Sequence, residues 1–254
     1  MPYAPGSLGR INIVSDNPPD HEYIEDRMGE YSVALENGEP RFSGRQYWTG
    51  GVWRIPTPHG LARYTAPGDE THAIIDGEML WEFTDGESLM LRAGDVVHVG
   101  RGIAARLDVS KYALTAWMIN EQGASEDGLV PELVRGARVY SLPFAEESFE
   151  PCAHGRWAIG AEWRLGTSTS ISGVWQSEGA EEFPFRTNGD ETHHVLEGSL
   201  TVTVAGEAPR VARKGDILAI RKDVEGTWNV SADLSSRFVV ANLVAAFNVG
   251  TSNA

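Results

Sequence analysis

Short runs of alternating polarity, separated by glycine turns, recur along most of this chain. Ser199-Leu200-Thr201-Val202-Thr203-Val204 sets an apolar residue at every second position, which on an extended backbone collects them on one face. Its looser counterpart is Glu78-Met79-Leu80-Trp81-Glu82-Phe83. Both patterns predict half-buried strands. The two are entered through Asp76-Gly77 and Glu197-Gly198 and left through Asp85-Gly86 and Ala205-Gly206, whose glycines accept the positive φ of a tight hairpin. Further strands are predicted over 96–99, 112–119, 217–220 and 237–244, while helical periodicity is confined to a turn or two near 131–135. Strands at this spacing predict an all-β sandwich or barrel.

The pentapeptide Gly-Asp-Glu-Thr-His occurs at Gly68 to His72 and again at Gly189 to His193, 121 positions later. The register persists: Ile75-Asp76-Gly77 answers Leu196-Glu197-Gly198, and Gly94-Asp95-Val96 answers Gly215-Asp216-Ile217. Two related units therefore share one polypeptide, and 254 residues suffice for each to bury a core. The expected division is an arm over 1–28, a first domain over 29–122, a linker over 123–136, a second domain over 137–248 and a tail over 249–254.

Composition narrows the function classes. A net charge of −15 with no cluster of Lys or Arg disfavours nucleic acid and anionic membrane surfaces, and is accounted for by solubility. No run of eighteen apolar residues is present, and Met1-Pro2-Tyr3-Ala4-Pro5-Gly6 lacks the basic and apolar segments of a secretory signal, so a cytoplasmic location is expected. With Cys152 as the only cysteine, an internal disulfide and a Cys-based zinc site are both excluded.

The string Asp190-Glu191-Thr192-His193-His194-Val195-Leu196-Glu197-Gly198, followed by a hairpin strand and Lys214-Gly215-Asp216, resembles the two sequence motifs of the cupin superfamily. The first half repeats it as Asp69 to Gly77 and Ala93-Gly94-Asp95, so the resemblance spans 51–119 and 173–244. It implies an all-β bicupin: two tandem cupin domains, each a jelly-roll β-barrel with a pocket in its lumen. Gly51-Val52-Trp53, Gly173-Val174-Trp175 and Thr227-Trp228 look like the branch containing (S)-ureidoglycine aminohydrolase and ethanolamine-utilisation cupins. The resemblance also implies a homodimer.

Metal-binding cupins supply two histidines one residue apart, a glutamate shortly after, and a histidine from the second motif. Glu70 and Glu191 keep the glutamate's place, seven residues before Gly77 and Gly198. The upstream histidines are replaced by Arg63-Tyr64-Thr65-Ala66 and Pro184-Phe185-Arg186-Thr187, and the second-motif histidine falls at about Ala105 and Gly226. What remains is a Glu-x-His pair in each half. Residues two apart share a strand face, so Glu70 with His72, and Glu191 with His193, reach one ion or one ligand. The ligand sets implied for a divalent Mn, Fe, Zn or Ni are Glu70, His72 and His98 in the first half and Glu191 and His193 in the second; His194 alternates away.

Three uses of these pairs stay open at this point: metal ligation, an internal ion pair, and metal-free proton transfer in which the carboxylate holds the imidazole. Arg63 and Arg186 precede the acidic strands and are placed to bind a substrate carboxylate or to pair with an internal acid. Trp228 is suited either to stacking on a ligand or to filling the core. The leading expectation is a small-molecule enzyme of lyase, isomerase or hydrolase type, acting on a polar carbonyl- or carboxylate-bearing substrate through Glu70, His72, Glu191 and His193. Its rivals are a non-catalytic metabolite-binding bicupin with degenerate metal sites and a metal-dependent dioxygenase.

Overall fold

The structure, a computed structural model, describes residues 11–15, 24–26, 29–37, 47–55, 59–66, 69–84, 86–99, 103–109, 112–121, 137–141, 148–165, 168–187, 189–220, 223–231 and 236–243. The predicted helical turn near 131–135, the linker over 123–136 and the tail over 249–254 lie outside them. No α-helix occurs among the described residues, and so none is long and apolar enough to cross a membrane.

The first half contributes β1 (Ile11–Ser15), β2 (Ile24–Asp26), β3 (Gly29–Asn37), β4 (Tyr47–Ile55), β5 (His59–Thr65), β6 (Asp69–Phe83), β7 (Ser88–Arg92), β8 (Asp95–Val99), β9 (Ala104–Val109) and β10 (Ala113–Glu121). After these come β11 (Ala137–Ser141), β12 (Glu150–Cys152), β13 (Gly155–Leu165), β14 (Ser168–Gln176), β15 (Glu181–Arg186), β16 (Gly189–Glu197), β17 (Ser199–Val204), β18 (Arg210–Arg213), β19 (Asp216–Ile220), β20 (Glu225–Val230) and β21 (Ser236–Leu243). The strands predicted from alternation are all present: Ser199–Val204 keeps its bounds, Glu78–Phe83 is the second part of the longer β6, and the others shift by one or two residues.

The duplication seen in sequence reappears as topology. One sheet runs β11-β8-β6-β10-β4-β3-β2 and another β1-β19-β16-β21-β14-β13-β12. Their central orders, β8-β6-β10-β4-β3 and β19-β16-β21-β14-β13, are the same path taken twice. In the first half β6 continues past Gly77 to pair with β7 and β9, and β9 pairs with β5. In the second half the path breaks at Gly198, and β17 joins a separate four-stranded sheet ordered β15-β20-β17-β18.

Small backbone devices hold these bends. Gly77 and Gly198 sit at φ 79° and 84°, but each lies beside a register irregularity where the chain bends from one sheet toward another, and not in the tight hairpin expected there. A Cβ on Gly77 would also stand 2.1 Å from the carbonyl oxygen of Tyr112. The repeated Gly-Asp is likewise structural: Asp95 Oδ2 accepts the Arg92 N–H at 2.8 Å, and Asp216 Oδ2 accepts the Arg213 N–H at 2.8 Å. Gly94 and Gly215 donate to Ile74 and Val195 at 2.9 and 2.8 Å, which ties each turn to the strand carrying the Glu-x-His pair.

Three apolar clusters follow from strand alternation. One fills the first barrel, with Trp53, Ile74, Met79, Trp81, Val97 and Leu107 among its members. A second fills the other barrel around Trp175, Phe183, Val195, Leu218 and Trp228. The third lies between the two large sheets and draws Ala73, Val96 and Ala116 from one half and Ala158, Val174 and Ile217 from the other. Strand exchange adds to that junction: β1 pairs with β19 of the second half, and β11 pairs with β8 of the first.

Candidate functional site

On β6 the alternation is strict. Glu70, His72 and Ile74 face the lumen of the first barrel, and Thr71 and Ala73 face the junction between the sheets. Glu70 is fully buried, and His72 is 3% exposed. The His72 ring nitrogen Nε2 lies 3.0 Å from Glu70 Oε2, and the Tyr64 hydroxyl donates to the same carboxylate. A carboxylate without water is costly unless it is paired and hydrogen-bonded, and these two contacts meet that need. Trp81 closes over the group, its ring 5.6 Å from that of His72 and 5.8 Å from that of Tyr64, both edge-on.

The second barrel repeats the pair and changes its surroundings. His193 Nε2 lies 3.0 Å from Glu191 Oε2, with the His193 side chain 2% exposed and that of Glu191 19% exposed. Trp228 stands edge-on to His193 at 5.5 Å, and Phe185 packs against Trp228 at 4.5 Å. Phe185 occupies the place of Tyr64, 121 positions later, so no phenol hydroxyl bonds Glu191 from that position. The first carboxylate is sealed and the second keeps a flank open to solvent.

Several residues predicted from sequence are placed elsewhere by the same alternation. Arg186 is exposed, with Nη2 3.4 Å from Asp223 Oδ1 and Nη1 3.4 Å from Glu225 Oε1. Arg63 is also exposed, because it alternates with the inward-facing Tyr64. Neither arginine is buried in a lumen, whereas Trp228 is buried beside His193. His98 pairs with Thr71, whereas Glu70 and His72 pair with Val99 and Val97, so position 98 lies on the opposite face of the sheet. His194 pairs with Ile217 and belongs to the junction face.

A divalent metal was expected from the family pattern, and the donor set does not fit one. Among the described residues no group of three His, Cys, Asp or Glu converges. Two protein ligands fall short of the three or four that such ions take. The residue that sequence reasoning missed is Tyr64. Its signal was its place: it stands where the family's metal-binding histidine would, on the lumen-facing phase of β5, and so meets Glu70 directly.

Residues 166–236 match the model of the EutQ-like cupin domain. No curated protein is significantly similar to the sequence. Among solved structures, a protein of unknown function from Pseudomonas syringae pv. tomato is 16% identical with a TM-score of 0.64, over 92% of this chain and 99% of that one. A putative glyoxylate-induced protein from Pseudomonas aeruginosa is 12% identical with a TM-score of 0.64, over 99% and 96%. Oxalate decarboxylase from Bacillus subtilis is 12% identical with a TM-score of 0.54, over 94% of this chain and 78% of that one. The matched segment, the repeated strand order and these structural likenesses agree, and the chain carries the fold of the cupin superfamily.

Proposed function

We propose that this chain is a bicupin enzyme of the lyase, isomerase or hydrolase type, moving a proton on a small polar carbonyl substrate, with the second barrel as the reacting one. One observation carries the reading: a carboxylate 3.0 Å from a buried imidazole, with the carboxylate side chain 19% open to solvent in the second barrel and fully enclosed in the first. A substrate reaches Glu191 without dismantling a completed hydrogen-bond network. The family match over 166–236 falls on this barrel as well.

In this reading Glu191 is the base. It takes a proton from the carbon beside the carbonyl, the C–H electron pair moves toward the carbonyl oxygen, and the proton returns to a neighbouring carbon or to a leaving group. His193 is a positioning residue that holds the carboxylate and shares its charge through Nε2. Trp228 and Phe185 supply an apolar wall that keeps competing water away from the pair. Oxalate decarboxylase of Bacillus subtilis has Mn(II) centres, but the steps here are assigned to the chain's own acid and imidazole, because each described donor set stops at two. The same shortage tells against the dioxygenase reading.

The test needs no prior substrate. Solvent deuterium incorporation into a panel of small carbonyl compounds is followed by proton NMR with the purified protein. Glu191→Gln and His193→Ala are expected to slow exchange about 100-fold or more, the usual scale for a positioned acid or base, with an unchanged circular dichroism spectrum. Glu70→Gln is expected to retain exchange. Full exchange in both second-barrel variants would remove that barrel as the reacting site.

A further inference from the structure

The first lumen holds more polar atoms than the Tyr64, Glu70 and His72 chain uses. Trp53 Nε1, Trp81 Nε1, Thr115 Oγ1 and His72 Nδ1 are buried and have no hydrogen-bond partner among the described residues. All four residues are at least nine-tenths buried, and Trp81 and Thr115 completely so. They share one enclosure: Thr115 pairs with Trp53 on β4 and with Ile74 on β6, two residues beyond His72. The His72 ring lies 6.2 Å from that of Trp53 and 5.6 Å from that of Trp81.

A buried donor or acceptor left unsatisfied costs about 1–3 kcal/mol, so four in one lumen are not explained by packing. A bound molecule that supplies their partners recovers this free energy. The indole of Trp81 and the phenol of Tyr64 belong to the first barrel and not to the fold in general. At the repeat offset Trp81 becomes Val202 and Tyr64 becomes Phe185.

The atoms define the ligand. An indole N–H only donates, and the threonine hydroxyl donates readily. In the tautomer that donates from Nε2 to the Glu70 carboxylate, Nδ1 is an acceptor. The lumen thus calls for carbonyl oxygens together with one N–H. Charge sets a further limit, because Glu70 is already there and the buried polar and charged residues include no Lys or Arg among those described. An anion would meet a like charge in a medium of low dielectric with no cation nearby.

We propose that the first barrel is a binding site for a small uncharged carbonyl compound bearing an N–H, of the amide class, held by Trp53, Trp81, Thr115 and His72. The site is separate from the reacting lumen and does not rest on proton transfer at Glu191. The test is a titration of the full chain, ¹⁵N-labelled at tryptophan, with acetamide, and with acetate as the charged counterpart. Acetamide is expected to move two indole N–H resonances saturably, those missing from Trp53→Phe and Trp81→Phe, while acetate leaves them in place. Thr115→Val keeps the side-chain shape and loses the hydroxyl, so it is expected to weaken acetamide binding up to about tenfold. Glu191→Gln should bind acetamide as the parent does, which separates this site from the proposed reaction. Indole resonances indifferent to acetamide, an equal response to acetate, or unchanged affinity in Thr115→Val would each overturn the assignment.

Discussion

The Glu70 carboxylate is shielded from water and answered by two neighbours, a phenol and an imidazole. Tyr64→Phe removes one of them without changing the ring, and hydrogen bonds to a buried charge contribute about 1.5–3 kcal/mol. Urea denaturation is expected to show a loss of that size, and no loss would mean that the hydroxyl is dispensable to the network. Tyr112, immediately before β10, behaves differently. Burial, and then the nearby charge of Asp76, push its phenol above the ordinary 10.0, with Arg54 acting in the opposite sense. The unfolded chain releases this proton first as pH rises, so the stability it contributes is complete below pH 10.0 and falls as pH climbs toward the folded value. Tyr112→Phe should remove that part of the alkaline loss, read from urea midpoints at about pH 9 and 11.

At the scale of elements, alternation explains both what was legible and what was misread. The period of two in Ser199–Val204 gives a strand with Leu200, Val202 and Val204 buried, as the sequence pattern requires. The same period placed Glu70 beside His72 and Glu191 beside His193. It also turned Arg63 and Arg186 outward, since each flanks an inward aromatic residue, Tyr64 or Phe185. The place of position 98 opposite Thr71 was not legible, because register between strands, unlike alternation within one, is not written in local sequence. The strand exchange belongs to this scale too. β1 covers the edge of β19 over five paired residues. Deleting Ile11–Ser15 leaves that edge open to another chain, and size-exclusion chromatography is expected to show association absent from the parent. A deletion variant that eluted as the parent does would show that this edge needs no cover.

For the molecule as a whole, the two halves share a buried apolar layer and trade strands across it. Neither sheet is complete without backbone from the other half, so separate unfolding would expose unpaired edges and apolar surface together. Calorimetry is therefore expected to show one transition with matching calorimetric and van't Hoff enthalpies, and two resolved transitions would contradict that coupling. Local patterning in the sequence determined the strands, the hairpins at Gly86 and Gly206, the duplication and the face shared by each acid and imidazole, because all of these depend on positions a few residues apart or on the repeat itself. Tertiary structure alone decided that one carboxylate is sealed by Tyr64 while the other keeps 19% of its side chain open to solvent, that position 98 pairs with Thr71, and that Trp53, Trp81 and Thr115 surround His72. Those facts depend on inter-strand register and on curvature, which bring together residues distant along the chain.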